Sequence, residues 1–151
     1  MTAAVTFAAV FAALFAAHSV GDHWVQTHHQ ACGKGAPGWG GRIACARHVA
    51  TLTATKAAAL AALMLSAGLA LNPWAAALGL AVDAVSHYWA DRRTTLAALA
   101  ERLGKRGFYE LGAPRPDRDD APHLGTGAYA LDQSWHIGWL FVTALIIAGG
   151  A

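Results

Sequence analysis

Residues 83–91 read DAVSHYWAD, placing two carboxylates and an imidazole at four-residue spacing inside an otherwise apolar run. On a helix, groups four apart share one face, separated by about 40° and roughly 6 Å along the axis. In a membrane each of them is expensive, since an Asp near a helix centre costs about 2.5–3.5 kcal/mol on insertion scales. The fold therefore has to supply compensation for Asp83, His87 and Asp91.

Working outward from this stretch, the whole chain has the composition of a membrane protein. Of its 151 residues 56% are hydrophobic and 13% charged, against about 25% charged in soluble domains. Four apolar stretches, at about 3–26, 48–71, 73–92 and 127–149, reach or approach the roughly 18–20 residues needed to cross a bilayer. The expected fold is all-α, a single integral-membrane domain over residues 1–151 built as a four-helix transmembrane bundle. The first stretch has no Lys or Arg ahead of it and three further spans after it, so it reads as a retained helix rather than a cleaved signal.

Charge placement orients the bundle. Lys34, Arg42, Arg47 and Lys56 lie in or just after the first connection, and Arg92, Arg93, Arg102, Lys105, Arg106, Arg115 and Arg118 lie around the third. The LNP turn at 71–73 and both ends carry no Lys or Arg. The positive-inside rule then makes the first and third connections cytoplasmic and both termini external, as expected of a multi-pass protein of a bacterial inner membrane. No basic stripe with interleaved aromatics points to nucleic acid. The Gly-rich CGKGAPGWGG at 32–41 lacks phosphate-loop spacing and reads as a flexible connection, and residues 93–126 read as a long cytoplasmic loop. Cys32 and Cys45 do not have the close spacing of a zinc-binding thiol pair, and a disulfide between them is not expected in a cytosolic loop. Trp24, Trp89, Trp135 and Trp139 fall toward helix ends, as membrane-interface anchors do.

In this orientation the polar residues of the spans fall at one depth. His18 and Asp22 come late in the first helix, His48 opens the second, Asp83, His87 and Asp91 come late in the third, and Asp132 and His136 open the fourth. Four of the nine acidic residues (Asp22, Asp83, Asp91, Asp132) lie in or against apolar spans, and each has a His four residues away. A divalent cation held by imidazole and carboxylate would offset most of that charge, and bundle cores build such sites from facing helices. The expected donors are His18, Asp22, His48, Asp83, His87, Asp132 and His136, led by His18, His87 and His136 with Asp83. One or two ions are expected, zinc first and iron or manganese next.

The function expected from this pattern is metal-dependent hydrolysis of a lipid-like or amphiphilic substrate near the cytoplasmic interface. Asp22 and Asp91 are candidate bases or further ligands, and Lys56 or Arg93 a candidate for steadying the developing anion. Two other readings stand beside it. One is a proton or metal-ion relay, disfavoured because the outer halves of the spans offer little beyond Thr6, Ser66 and Asn72. The other is a non-catalytic protein in which a structural metal or polar network staples the bundle and the third connection binds partners. His23, His28, His29 and His123 read as loop or interface residues. Membrane lipids are the expected surroundings, and oligomeric state is not legible.

AHSVGDHWVQT at 17–27, Lys34, His48, DAVSHYWAD and LDQSWH at 131–136 together resemble domain-of-unknown-function family 3307, small polytopic membrane proteins of bacteria and phages. The resemblance spans nearly the whole chain. It implies that His18, Asp22, Gln26, Lys34, His48, Asp83, His87, Asp132, Gln133 and His136 matter, without implying a reaction. The layout is also similar, more distantly, to small membrane-bound metal-dependent hydrolases.

Overall fold

The computed structural model describes residues 2–115 and 125–150. It is all-helical among those residues. Helix α1 (Ala3–Val20) is capped by Thr2, whose side chain accepts from the Val5 amide, and it runs on through a single π turn, Gly21–Val25. A short α2 (His28–Gly33) is held by a capping box between Thr27 and Gln30. Helix α3 covers Gly38–Ala67, α4 Pro73–Asp91, α5 Thr94–Arg102, α6 Arg106–Tyr109 and α7 Gly127–Gly149. The four longest close a ring in which α1 and α4 each touch both α3 and α7. Three stretches are long and apolar enough to cross a membrane: Ala3–Val25, Gly38–Ala67 and Gly127–Gly149.

Three sequence expectations are corrected. The second helix begins ten residues before 48, because Gly41, Ala44, Cys45, His48 and Val49 form a helical stripe that is buried even though the segment is Gly- and Arg-rich. It ends at Ala67 rather than 71, because Gly68 takes the left-handed conformation, φ 64°, that terminates a helix. Asn72 then caps α4 through the Trp74 and Ala75 amides, with Pro73 at its first position. The segment 32–41 is accordingly not a free linker but the end of α2, a turn and the start of α3. The stretch 93–126 contains α5 and α6, with Leu96 and Ala100 buried on α5. His123 and Arg118 lie outside the described residues.

Each long helix buries one stripe, and that stripe changes chemistry along its length. At one end Val10 and Leu14 of α1, Leu60 of α3, Leu140, Ala144 and Ile147 of α7, and Leu69 and Leu71 of the α3–α4 turn form a dry core. Phe7 meets Phe141 edge to face at 5.2 Å beside it. At the other end the same stripes carry His18, His48, Asp83, His87, Asp91 and His136. Gly79 lets α4 approach α7 closely, since a Cβ there would stand 2.8 Å from Ile147 Cγ1.

The turn at 34–36 is seated on the start of α3. A Cβ on Gly41 would run into the Ala36 carbonyl, whereas one on Gly40 meets nothing within 4 Å. Neighbouring glycines in one helix should therefore respond oppositely to the same change. Gly40→Ala is expected to stabilise by about 1 kcal/mol through helix propensity, and Gly41→Ala to destabilise by about 1–3 kcal/mol through overpacking, both read by thermal unfolding in mild detergent. Equal effects at the two positions would mean that the turn is not seated on α3.

Candidate metal centre

Five elements converge at the polar end. The π turn after α1 carries Asp22, the segment just after α2 carries Lys34, and α3, α4 and α7 contribute His48, His87 with Asp91, and His136 with Asp132. His48 Nε2 and His87 Nε2 lie 3.1 Å apart, and Asp91 Oδ2 is 3.3 Å from the first and 3.2 Å from the second. Asp22 Oδ1 approaches the same pair at 3.1 and 3.7 Å. Around a tetrahedral ion with bonds of about 2.0–2.1 Å, neighbouring donors stand roughly 3.3 Å apart. The triangle of His48, His87 and Asp91 has that size.

A second set lies beside it. His136 Nε2 is 3.4 Å from Asp132 Oδ1 and 3.9 Å from Asp91 Oδ1, the oxygen of Asp91 that faces away from His48 and His87. Three groups of donors have all their ligand atoms within 4.8 Å of one another: Asp22, His87 and His136; His48, His87 and Asp91; and Asp91, Asp132 and His136. Such clusters could hold a metal ion. His48 Nε2 and His87 Nε2 are within hydrogen-bond distance of each other, while other atoms of the cluster are left unsatisfied. Asp22 Oδ1, Asp91 Oδ2 and His136 Nε2 are buried without a hydrogen-bond partner although the other donors surround them, and buried polar atoms are seldom left so.

Of the expected donors, His48, His87, His136, Asp22 and Asp132 come together in these groups. Asp91, expected as a base or a further ligand, is the carboxylate common to two of them. His18 belongs to none of the three; its Nε2 lies 3.4 Å from Asp22 Oδ2, behind the donor set. Asp83 departs from its expected place. It forms a 2.6 Å ion pair with Lys56, both side chains buried, and joins none of the three groups. The same pair engages the Lys56 ammonium, and Lys56 is not among the residues that line the cavity next to the cluster.

That cavity, about 630 Å³, has Asp22, Asp91 and Asp132 on its cluster side and Lys34 and Arg93 among its other walls. Lys34 Nζ lies 2.9 Å from Asp91 Oδ1. Lys34 was marked in the sequence by the resemblance alone and given no role, because it is distant along the chain and sits in a Gly-rich segment. The next residue after Asp91 explains its position: Arg92 donates to the carbonyls of Lys34 and Ala36, both at 2.6 Å, and so pins the turn against the end of α4. His23, read as a loop residue, also lines the cavity, with Nε2 3.2 Å from the Tyr129 hydroxyl. No protein-family model matches the chain, and no curated protein or solved structure matches it.

Separation of the Lys56–Asp83 pair from the cluster can be tested. Lys56→Met leaves a buried carboxylate without a partner and is expected to destabilise by about 3–5 kcal/mol. The double variant Lys56→Met with Asp83→Leu is expected to recover most of that loss in thermal unfolding and to retain the wild-type metal content. Loss of metal in the double variant would return Asp83 to the ligand set.

Proposed function

We propose that this chain is a four-helix integral membrane metalloprotein of a bacterial inner membrane, with α4 as the fourth span, and that it hydrolyses a lipid-like or amphiphilic substrate at a two-ion centre. One observation carries the metal count: the two oxygens of Asp91 face different histidines. A neutral imidazole Nε2 offers one lone pair, so His87 cannot serve two ions and neither can His136. Of the three donor groups, only His48–His87–Asp91 and Asp91–Asp132–His136 can then be filled together, sharing Asp91 as a bridging carboxylate. Zinc suits the mixed imidazole and carboxylate donors and their tetrahedral spacing, with iron or manganese next.

The two positions differ in a way that divides structure from chemistry. Of the first set only Asp91 borders the cavity, whereas Asp91 and Asp132 of the second both do, and Asp22 belongs to neither set although it lines the same cavity. A divalent ion at an open position lowers the pKa of water toward neutrality. With an ion bound there, the water it activates would have Asp22 as its proton acceptor, and Asp22 Oδ2, 3.4 Å from His18 Nε2, would pass the proton toward that imidazole. Lys34 and Arg93, rather than Lys56, face the charge that develops on the substrate. The staple reading of the bundle survives within this scheme as the role of the His48–His87–Asp91 position, which meets the cavity through Asp91 alone. A relay is not supported, because Thr6 and Thr143 are the buried polar side chains toward the opposite end among the described residues.

The positive-inside pattern supports placing the cluster at the cytoplasmic end with both termini outside, and the motifs HSVGD, DAVSHYWAD and LDQSWH support membership of family 3307. Elemental analysis of protein purified in detergent without chelator is expected to find two equivalents of metal, one in His136→Ala and fewer than one in Asp91→Ala. No stoichiometric metal in the wild type would overturn the centre. For orientation, Cys32 is exposed and Cys45 buried, so the natural protein carries its own probe. An impermeant maleimide is expected to label Cys32 in inverted vesicles and not in intact spheroplasts. The opposite result would place the cluster on the outer face.

A further inference from the structure

We infer that the cavity beside the cluster binds the phosphoryl group of an anionic amphiphile, held by Arg93 and Lys34, with its acyl chain in the groove between α5 and α7. For its link to catalysis and for the charge balance of the cavity this rests on the metal-centre reading above; the hydrogen-bond donors that Arg93 offers do not. Arg93 is the first observation. It is the one non-glycine residue with positive φ among those described, at φ 58° and ψ −50° on the α4–α5 junction. Such a backbone costs on the order of 1–3 kcal/mol and persists where its surroundings enforce it. Its stem also excludes any side chain at position 35, where a Cβ would come within 2.7 Å of Arg93 Cδ. Among the described residues its guanidinium makes one hydrogen bond, Nη2 to the Ala31 carbonyl at 3.1 Å, which leaves most of its planar fork of donors for an anion.

The walls agree with an anionic occupant. Lys34 lines the same cavity, and Gln26 contributes a buried Nε2 with no acceptor. The three carboxylates of the cluster side are outweighed once a single divalent ion joins Lys34 and Arg93. A phosphoryl group offers three acceptor oxygens to match a guanidinium fork, an ammonium and an amide, whereas a carboxylate offers two.

The amphiphilic half comes from Leu96, which lines both this cavity and an adjoining groove of about 390 Å³. That groove is built from Leu99, Leu103, Leu131, Trp135 and Trp139. A molecule with its phosphoryl group at Arg93 would have this groove beside Leu96 for its chain.

The test is calorimetric titration of the detergent-purified, metal-analysed protein with dioctanoyl phosphatidate, dioctanoylglycerol, decanoate and inorganic phosphate. Phosphatidate is expected to bind one equivalent saturably, and each of the others at least roughly tenfold more weakly. Arg93→Gly suits the left-handed backbone, so it is expected to keep the thermal midpoint and the metal while weakening phosphatidate about tenfold or more. Trp139→Ala is expected to weaken phosphatidate and leave inorganic phosphate unchanged. Equal binding of phosphatidate and dioctanoylglycerol, or of phosphatidate and decanoate, overturns the phosphoryl site, as does indifference to Arg93→Gly. Inorganic phosphate binding as tightly as phosphatidate overturns the acyl groove. Arg93-dependent binding by a protein devoid of metal would sink the centre and leave this inference standing; no binding by a metal-replete protein would do the reverse.

Discussion

Asp91 is the group on which the polar half of this molecule depends. It is the last residue of α4, its side chain is 1% exposed, and its carboxylate lies within ion-pair distance of Lys34, His48, His87 and His136. Those partners come from the segment after α2, from α3, from α4 itself and from α7. A buried carboxylate without compensation is strongly unfavourable, so each of these elements is drawn to the same point. Arg92, next in sequence, turns outward and fastens the 34–36 turn over the cluster, so two adjacent residues close the end of the bundle from inside and above.

The ring of long helices divides its interior by chemistry. Leucine, valine and isoleucine fill one end, where packing alone suffices, and the Lys56–Asp83 pair marks the border of the other. This border pair is self-neutralising, and it allows α3 and α4 to carry charge deep in the bundle without drawing on the donors beyond it. Two helical turns further along α4, the carboxylates of Asp22, Asp91 and Asp132 are faced, among the described residues, by Lys34, Arg93 and the imidazoles.

The long helices were legible because hydrophobic runs and the i, i+4 pairing of His with Asp are local signals. The gathering of His18, Asp22, His48, His87, Asp91, Asp132 and His136 followed from a single geometric premise, that antiparallel spans bring late residues of one beside early residues of the next. What escaped was set by contacts between segments. Nothing in DAVSHYWAD says that Asp83 meets Lys56 while Asp91, eight residues on, meets imidazoles; that depends on the rotation of α3 against α4. The start of α3 at Gly38 was hidden because glycines chosen for close approach, Gly41 under the Ala36 carbonyl above all, lower the apparent hydropathy of a segment that is helical for tertiary reasons. Arg93 was a candidate for steadying an anion from the sequence, but its positive φ, unlike that of any other described non-glycine residue, is a tertiary feature that no local signal announced.

The clustered His and Asp donors and the two cations of the cavity wall are mounted differently. His48, His87, Asp91, Asp132 and His136 project from α3, α4 and α7, whose positions are fixed along their length by packing. Lys34 and Arg93 sit on short connections, held by a few hydrogen bonds to Ala31, Lys34 and Ala36 carbonyls. Segments with few buried apolar contacts open at lower free energy than the core that carries them. The centre can therefore stay assembled while the wall of its cavity moves, and the two are coupled at one residue. Lys34 belongs to the wall by its backbone and to the centre by its 2.9 Å contact with Asp91, so any displacement of the 34–36 turn changes the charge felt by the carboxylate that both donor sets share.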